Sequence, residues 1–460
     1  LYLPQAKFDQ VSLYCLKYAE PQAVIEVCAN EKEYKNVHAG IIGGNQTWSN
    51  LKKLNLSRNY IDDEGGAKIG SNVSWPNLEE LDLSFNSLET KSGIAIGSNT
   101  TWTKLRSLNL ERNKIGPEGA RGIGKNTAWI ELRVLNLGSN LIGQKGAVGL
   151  SKNKTWANLI TLALHNNGLW DGGAVALAKN TTWTNLRTFV LYNNKIGDKG
   201  AEALSKNTVW TKLLILNLSM NMIGDQGAIR LGGNEVWTKL QFLNLADNKI
   251  RNKGAKGLGR NTAWTDLRTL SLNKNMIGPE GIEELCQNTN WTCLETLNLG
   301  NNLIGPQGAS ALAMNTTWSN LQTLTLEYNL IKAAGAAALS KNTDWSQLIT
   351  LDLSGNNIGP EGAEHLSKNA SWQNLQTLNL YYNTIGDKGA AELAKNNTWM
   401  KLETINLKSN DITGKGAEEL SKNTAWAELM TLNIDIQVVG EVNVQKLKQN
   451  PHWPKLQEVS

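Results

Sequence analysis

The sequence predicts an α/β solenoid, in which one short strand and one short helix per repeat stack into a parallel sheet backed by helices. Three observations carry this. The 460 residues hold 17 tryptophans against 4 phenylalanines, so a fixed structural slot demands an indole. Sixteen of those tryptophans, from Trp48 to Trp453, recur every 27 residues, and only Trp170 falls off the ladder. Residues 51–455 then divide into 15 units of that length with no insertion or deletion. An unbroken period of this size marks stacked supersecondary units that cannot each bury an apolar face alone.

The elements follow in order along one unit, for example LRTFVLYNNKIGDKGAEALSKNTVWTK at 186–212, numbered 1 to 27. Position 1 is always Leu, and positions 4 and 6 are Leu except at Phe189, Ile405 and Ile434. Leu-x-Leu places two side chains on one face of a strand. Position 9 is Asn in 14 of 15 units, where a buried amide can satisfy backbone groups left open by the turn after the strand. Position 13 is mostly Asp or Pro, as at Asp198, Asp225, Asp387, Pro117, Pro279, Pro306 and Pro360, and predicts a helix start as N-cap or first-turn proline. Gly-Ala at 15 and 16 lets that helix pack close to the strands. Position 22 is always Asn, read as a left-handed residue ending a helix of about two turns. Trp at 25 covers the return to the next strand, and apolar positions 1, 4, 6, 11, 19 and 25 form the expected core.

The ends depart from the pattern. Residues 1–23 are expected to cap the array, and 24–50 read as a degenerate first repeat, with Val24 and Val27 replacing leucines. Residues 51–428 make fourteen regular repeats. Residues 429–460 read as a degenerate last repeat and C-terminal cap: Gln437 replaces the ladder Asn, and 456–459 would form a closing strand. The chain opens on Leu1 without a basic-then-apolar leader, which reads as a fragment or a processed product.

The pattern LxxLxLxxNxIGxxGAxxL resembles leucine-rich repeats, in the ribonuclease-inhibitor-like subclass, across residues 24–459. Two features depart from that subclass: the unit is slightly short, and the Asn-Thr-x-Trp tail is unusual. The resemblance implies a horseshoe with a parallel concave β-sheet and short α-helices on the convex face. Spacing agrees, because strands pack about 4.8 Å apart and helices about 8–10 Å. It also implies a recognition module, not an enzyme. The stretch Gly389 to Ala394 is similar in wording to repeats of bacterial effectors delivered into eukaryotic cells, which favours the cytoplasm or a host cell over an extracellular location.

Chemistry finds little footing. A net charge of +5 from 46 basic and 41 acidic residues does not argue for nucleic acid, and no apolar run is long enough to span a membrane. Gly119 to Asn126 comes near a phosphate loop but lacks the Ser or Thr that would hold magnesium and sits at a helix end. His38, His165, His365 and His452 share no unit, and Cys15, Cys28, Cys286 and Cys293 lack metal-ligand spacing. No cofactor and no metal is expected. Lys or Arg at position 21, as at Lys125, Lys152, Lys206 and Lys368, complements the helix dipole on a solvated edge. Asn-x-Ser/Thr sequons at Asn99, Asn180, Asn315 and Asn396 arise from the repeat itself.

Departures from the repeat on the exposed strand face are the candidate contacts with a protein partner. A central group comprises His165, Val190, Tyr192, Ile215, Met220 and Phe242, beside Trp170. A group near the start, at the strand-to-helix rim, comprises Arg58, Tyr60, Phe85 and Arg112, and one near the end Glu327, Tyr328, Tyr381 and Tyr382. Aromatic and Arg residues on polar surroundings are contact types. The expected function is a non-enzymatic scaffold binding a protein on its concave face. Alternatives are the substrate-selecting array of a larger enzyme, such as a ubiquitin ligase, and an enzyme inhibitor.

Overall fold

The structure, a computed structural model, describes residues 24–460; the cap expected over 1–23 lies outside them. Each repeat contributes a three-residue strand at positions 3–5, as in Thr188–Val190, and a helix of seven to nine residues, as in Asp198–Ser205. Leu186, Phe189, Leu191, Ile196, Ala201, Leu204 and Trp210 of that repeat are wholly buried, and the same positions are buried in the other regular repeats. Position 16 thus joins the six expected core positions. Each large side chain removed from water contributes about 1.5–3 kcal/mol, so the core renews itself every 27 residues. The ladder indoles are buried as well, and successive rings stack where Trp75 meets Trp102 at 6.4 Å and Trp264 meets Trp291 at 6.5 Å.

The described chain falls into two units. The first runs to Ile223 and includes Val236–Leu240; its eight strands, from Glu26–Cys28 to Ile215–Asn217, pair in parallel with a 27-residue register, as Glu26 with Lys53 and Thr188 with Ile215. The second holds Gly224–Glu235 and Gln241–Ser460; its nine strands run from Phe242–Asn244 to Glu458–Val459 with the same register. The last of these is the expected closing strand. No helix among the described residues is long and apolar enough to cross a membrane.

The position-9 amides act as the sequence predicts. Asn194 donates to the carbonyls of Leu164 and Leu191, and its Oδ1 accepts from the backbone N–H of Asn167 and Leu169. Each amide therefore stitches its own turn to the preceding repeat.

Two expectations are corrected. Position 22 is not left-handed: Asn99, for example, has φ −75°. These residues form a second buried amide ladder instead. Asn126 donates to Gly97 and Asn99 of the preceding repeat and accepts from the N–H of Ala128 and Trp129. Nor does Asp at position 13 cap its own helix. Asp171 accepts from the N–H of Gly197 and Gly200, at the start of the next repeat's helix, at 2.7 and 2.9 Å. Asp63, Asp225 and Asp387 reach forward in the same way. A parallel stack sets each helix start beside the previous one, so the carboxylate meets its neighbour's orphan N–H groups. The prolines do fall in the first turn, at Pro117, Pro279, Pro306 and Pro360.

Candidate partner-binding surface

After the buried leucine at position 6, positions 7 and 8 carry the chain off the strand face. Position 8 turns left-handed in repeat after repeat: φ is +54° at Arg58, +55° at Phe85, +53° at Arg112, +55° at Met220, +52° at Tyr328 and +57° at Tyr382. Glycine fills this slot at Gly355. A residue other than Gly, Asn or Asp costs roughly 1 kcal/mol there. The bulky residues noted in the sequence thus occupy strained positions that a glycine or asparagine would hold with less cost.

In the first unit these side chains converge. His165 is buried and its ring lies parallel to that of Tyr192, with centroids 4.5 Å apart. Its Nε2 meets Glu111 Oε1 at 3.3 Å, and Glu111 Oε2 accepts from Asn136 at 3.0 Å. The imidazole fills a slot that exists only because position 7 of the intervening repeat is Gly138: a Cβ there would fall 2.1 Å from His165 Cε1. Burial first, then the Glu111 carboxylate, pushes the Tyr192 phenol up; Arg112 and a hydrogen bond with Asn166 pull it down. Arg112 also lies 5.1 Å from the centre of the Phe85 ring, and Arg58 lies 4.1 Å from it. The starting and central groups therefore join through Arg112 into one surface: Arg58, Phe85, Arg112, Glu111, His165 and Tyr192.

The other central residues are placed less uniformly. Val190 is half-buried in its strand, and Ile215 stands opposite Thr188 and exposed. Met220 is exposed on its left-handed turn. Trp170 is not on the strand face. It opens the helix Trp170–Ala178 with φ +54°, is 50% exposed, and has Lys195 Nζ 4.8 Å from its ring. Phe242 belongs to the second unit, where it opens its strand half-buried beside Thr269.

The last group lies in the second unit. Tyr328 lies along Gly355, whose Cβ would come within 2.4 Å of its ring, and Tyr381 and Tyr382 have ring centres 6.1 Å apart. Glu327 settles over Gly300 much as His165 settles over Gly138. Burial, aided by Asp352, pushes its carboxyl up, and Oε2 has no hydrogen-bond partner. Sequence reading passed over Glu111, and over Met276, Leu303 and Leu330. These last three sit at position 10 of successive repeats; Leu303 and Leu330 are 59% and 58% exposed. A glycine at position 7 one repeat ahead of a large polar residue is the signal that would have found the two slots.

Among the described residues no cluster of three His, Cys, Asp or Glu could hold a metal. His365 is exposed on its helix, and burial pushes the Cys286 thiol up and away from reactivity.

The family model described as Leucine Rich repeat matches residues 49–70, 76–97, 103–124, 184–205, 211–232, 238–259, 265–286, 292–313, 347–367, 373–394 and 400–421. No curated protein matches the sequence. Among solved structures, PEPR1 with AtPEP1 is 19% identical, covering 90% of this chain and 52% of that one, with a TM-score of 0.50. The leucine-rich-repeat ectodomain of the membrane receptor kinase GASSHO1/SCHENGEN3 from Arabidopsis thaliana, in complex with CASPARIAN STRIP INTEGRITY FACTOR 2, is 20% identical over 91% of this chain and 50% of that one, with a TM-score of 0.49. An internalin from Listeria monocytogenes is 21% identical over 72% of this chain and 88% of that one, with a TM-score of 0.49. The chain spans about half the length of the first two. The PEPR1 likeness is one of fold alone. With the ladder of leucines and amides in place and the family pattern matched over more than half its length, the chain belongs to the leucine-rich-repeat family.

Proposed function

We propose that this protein is a non-enzymatic recognition scaffold whose strand face grips a protein partner. The contact runs through Arg58, Phe85, Arg112, His165 and Tyr192 in the first unit; Tyr328, Tyr381 and Tyr382 supply further contact in the second. The observation that carries the reading is the seating of His165 in the Gly138 slot, clamped between Glu111 and Tyr192. The repeat needs none of these residues for its core. Their rings are held before any partner arrives, which lowers the ordering cost of binding. Aromatic and Arg side chains set on a lawn of Thr and Asn are the residue types that dominate interfaces. Leucine-rich repeats as a family are recognition modules, which supports the same conclusion. The likeness of Gly389 to Ala394 to effector repeats motivates a host protein as that partner.

A second reading keeps the same surface but makes it the substrate-selecting array of a longer enzyme, such as a ubiquitin ligase. Sequencing the full gene product decides between the two. An inhibitor of a basic enzyme would want an acidic face, and Arg58 and Arg112 argue against that.

The test is quantitative affinity capture with three immobilised forms: wild type, His165→Ala with Tyr192→Ala, and Lys206→Ala in the helix layer as control. At least one protein held by wild type and by the control should fall about tenfold with the double variant, the scale of one hot-spot residue. Equal capture of every protein by all three folded forms would remove this surface from the reading.

A further inference from the structure

The helix layer of the first unit carries a feature that the strand-face reading does not use. A groove of about 720 Å³ runs between the helices Gly116–Gly124 and Gly143–Ser151, from Pro117 and Gln144 to Thr127 and Thr155 beyond their ends. Arg121 and Lys125 stand on one wall; Lys145, Lys152 and Lys154 stand on the other. Glu118 is the sole carboxylate in the lining. All five cations are exposed, and none forms an ion pair among the described residues.

The helix dipole accounts for Lys125 and Lys152, which cap the C-termini of the two helices, but not for Lys145 or Lys154. At the same helix ends elsewhere Lys206 pairs with Glu202 at 2.7 Å, Lys368 with Glu364 at 2.8 Å and Lys395 with Glu392 at 2.6 Å, whereas Lys179 and Lys341 have no acid three or four residues before them. The two groove helices put Arg121-Gly122 and Val148-Gly149 where those acids would stand. Lys145 lies near the start of its helix, the end at which the dipole disfavours a cation. No Asp or Glu occurs between Glu131 and Asp171, although the chain as a whole is nearly balanced in charge. Positive charge is thus concentrated here and left without a partner.

We propose that this groove binds a short acidic peptide segment of a partner protein, laid along the two helices. The floor of Pro117, Val148, Gly124 and Gly149 is apolar and suits a peptide backbone and small side chains. A nine-residue helix is about 13 Å long, room for about four extended residues. Carboxylates on alternating sides of such a segment meet cations on both walls. Nucleic acid fits less well, because no aromatic side chain lines the groove to stack on a base. The site is separate from the strand-face surface, so the two readings stand or fall independently.

The experiment is fluorescence anisotropy with a labelled Glu-Glu-Leu-Glu-Glu-Glu peptide at low salt. Lys145→Glu with Lys152→Glu is compared with Lys332→Glu with Lys341→Glu, which makes the same charge change in the second unit. Saturable binding should weaken about tenfold in the groove variant and less than about twofold in the charge control, because each reversed pair trades a weak attraction for repulsion. The His165→Ala with Tyr192→Ala form should bind the peptide as wild type does. The proposal is overturned if both charge variants weaken binding equally, if wild type shows no saturation, or if oligo(dT) or phosphatidylserine vesicles bind more tightly than the peptide and lose that binding in the groove variant.

Discussion

Trp170 occupies a backbone slot at φ +54° that Gly116, Gly143, Gly305, Gly359 and Gly386 fill in other repeats. A left-handed tryptophan is strained by roughly 1 kcal/mol, and its half-exposed ring recovers little of that through burial. Trp170→Gly should therefore hold or raise the melting temperature, against the usual cost of losing an aromatic. A fall of several degrees would show that the ring is structural. Glu327 makes a pH-dependent case. Its carboxyl is pushed above the ordinary glutamate range in the folded chain, mainly by burial. Below that range, folded and unfolded chains both carry the proton. As pH rises through the window above it, the unfolded chain ionises first, and the folded chain loses stability until Glu327 ionises too. Glu327→Gln removes this loss while keeping an oxygen for Asn301. Thermal melts should show the variant more stable than wild type at about pH 7.5 and equal to it at about pH 3.5. A gain of the same size at both values would trace the effect to packing instead of charge.

The elements themselves are tied across repeats more than within them. The period, the strand at Leu-x-Leu and the position-9 amides were legible because each repeat solves one packing problem with the same residues. Position 22 was legible as important but not in its role: an invariant Asn after a helix fits a left-handed stop as well as a side chain reaching into the repeat before it. The forward reach of Asp171 was invisible, because one unit read alone offers its carboxylate only its own helix. Asp171→Ala tests that reach. It removes the acceptor for two N–H groups of the following helix, Asp198–Ser205, at a cost of about 1 kcal/mol. Hydrogen exchange should quicken at the start of Asp198–Ser205 and stay unchanged in Trp170–Ala178. Faster exchange confined to Trp170–Ala178 would restore the own-helix cap.

At the scale of the whole molecule, regularity hides function and exposes stability. The sequence shows the scaffold plainly because fifteen copies repeat it, whereas His165, Glu111 and the Arg58–Phe85–Arg112 sandwich come from different repeats and meet only once the strands are in register. Glu111 and His165 stand 54 residues apart, and nothing local links them. The same architecture makes each repeat lean on its immediate neighbours, so stability is a chain of adjacent couplings. In the second unit, Leu351 sits in an interior strand paired on both sides, while Leu432 lies one strand from the end. Both are wholly buried, and each Leu→Ala change costs about 2–5 kcal/mol locally. Leu351→Ala should weaken exchange protection in the repeats on both sides, around Leu324 and Leu378. Leu432→Ala should loosen the last repeat and the strand Glu458–Val459 while interior repeats keep their protection. If both variants instead lose protection evenly along the second unit, the repeats fold as one indivisible body and neighbour-by-neighbour coupling is the wrong description.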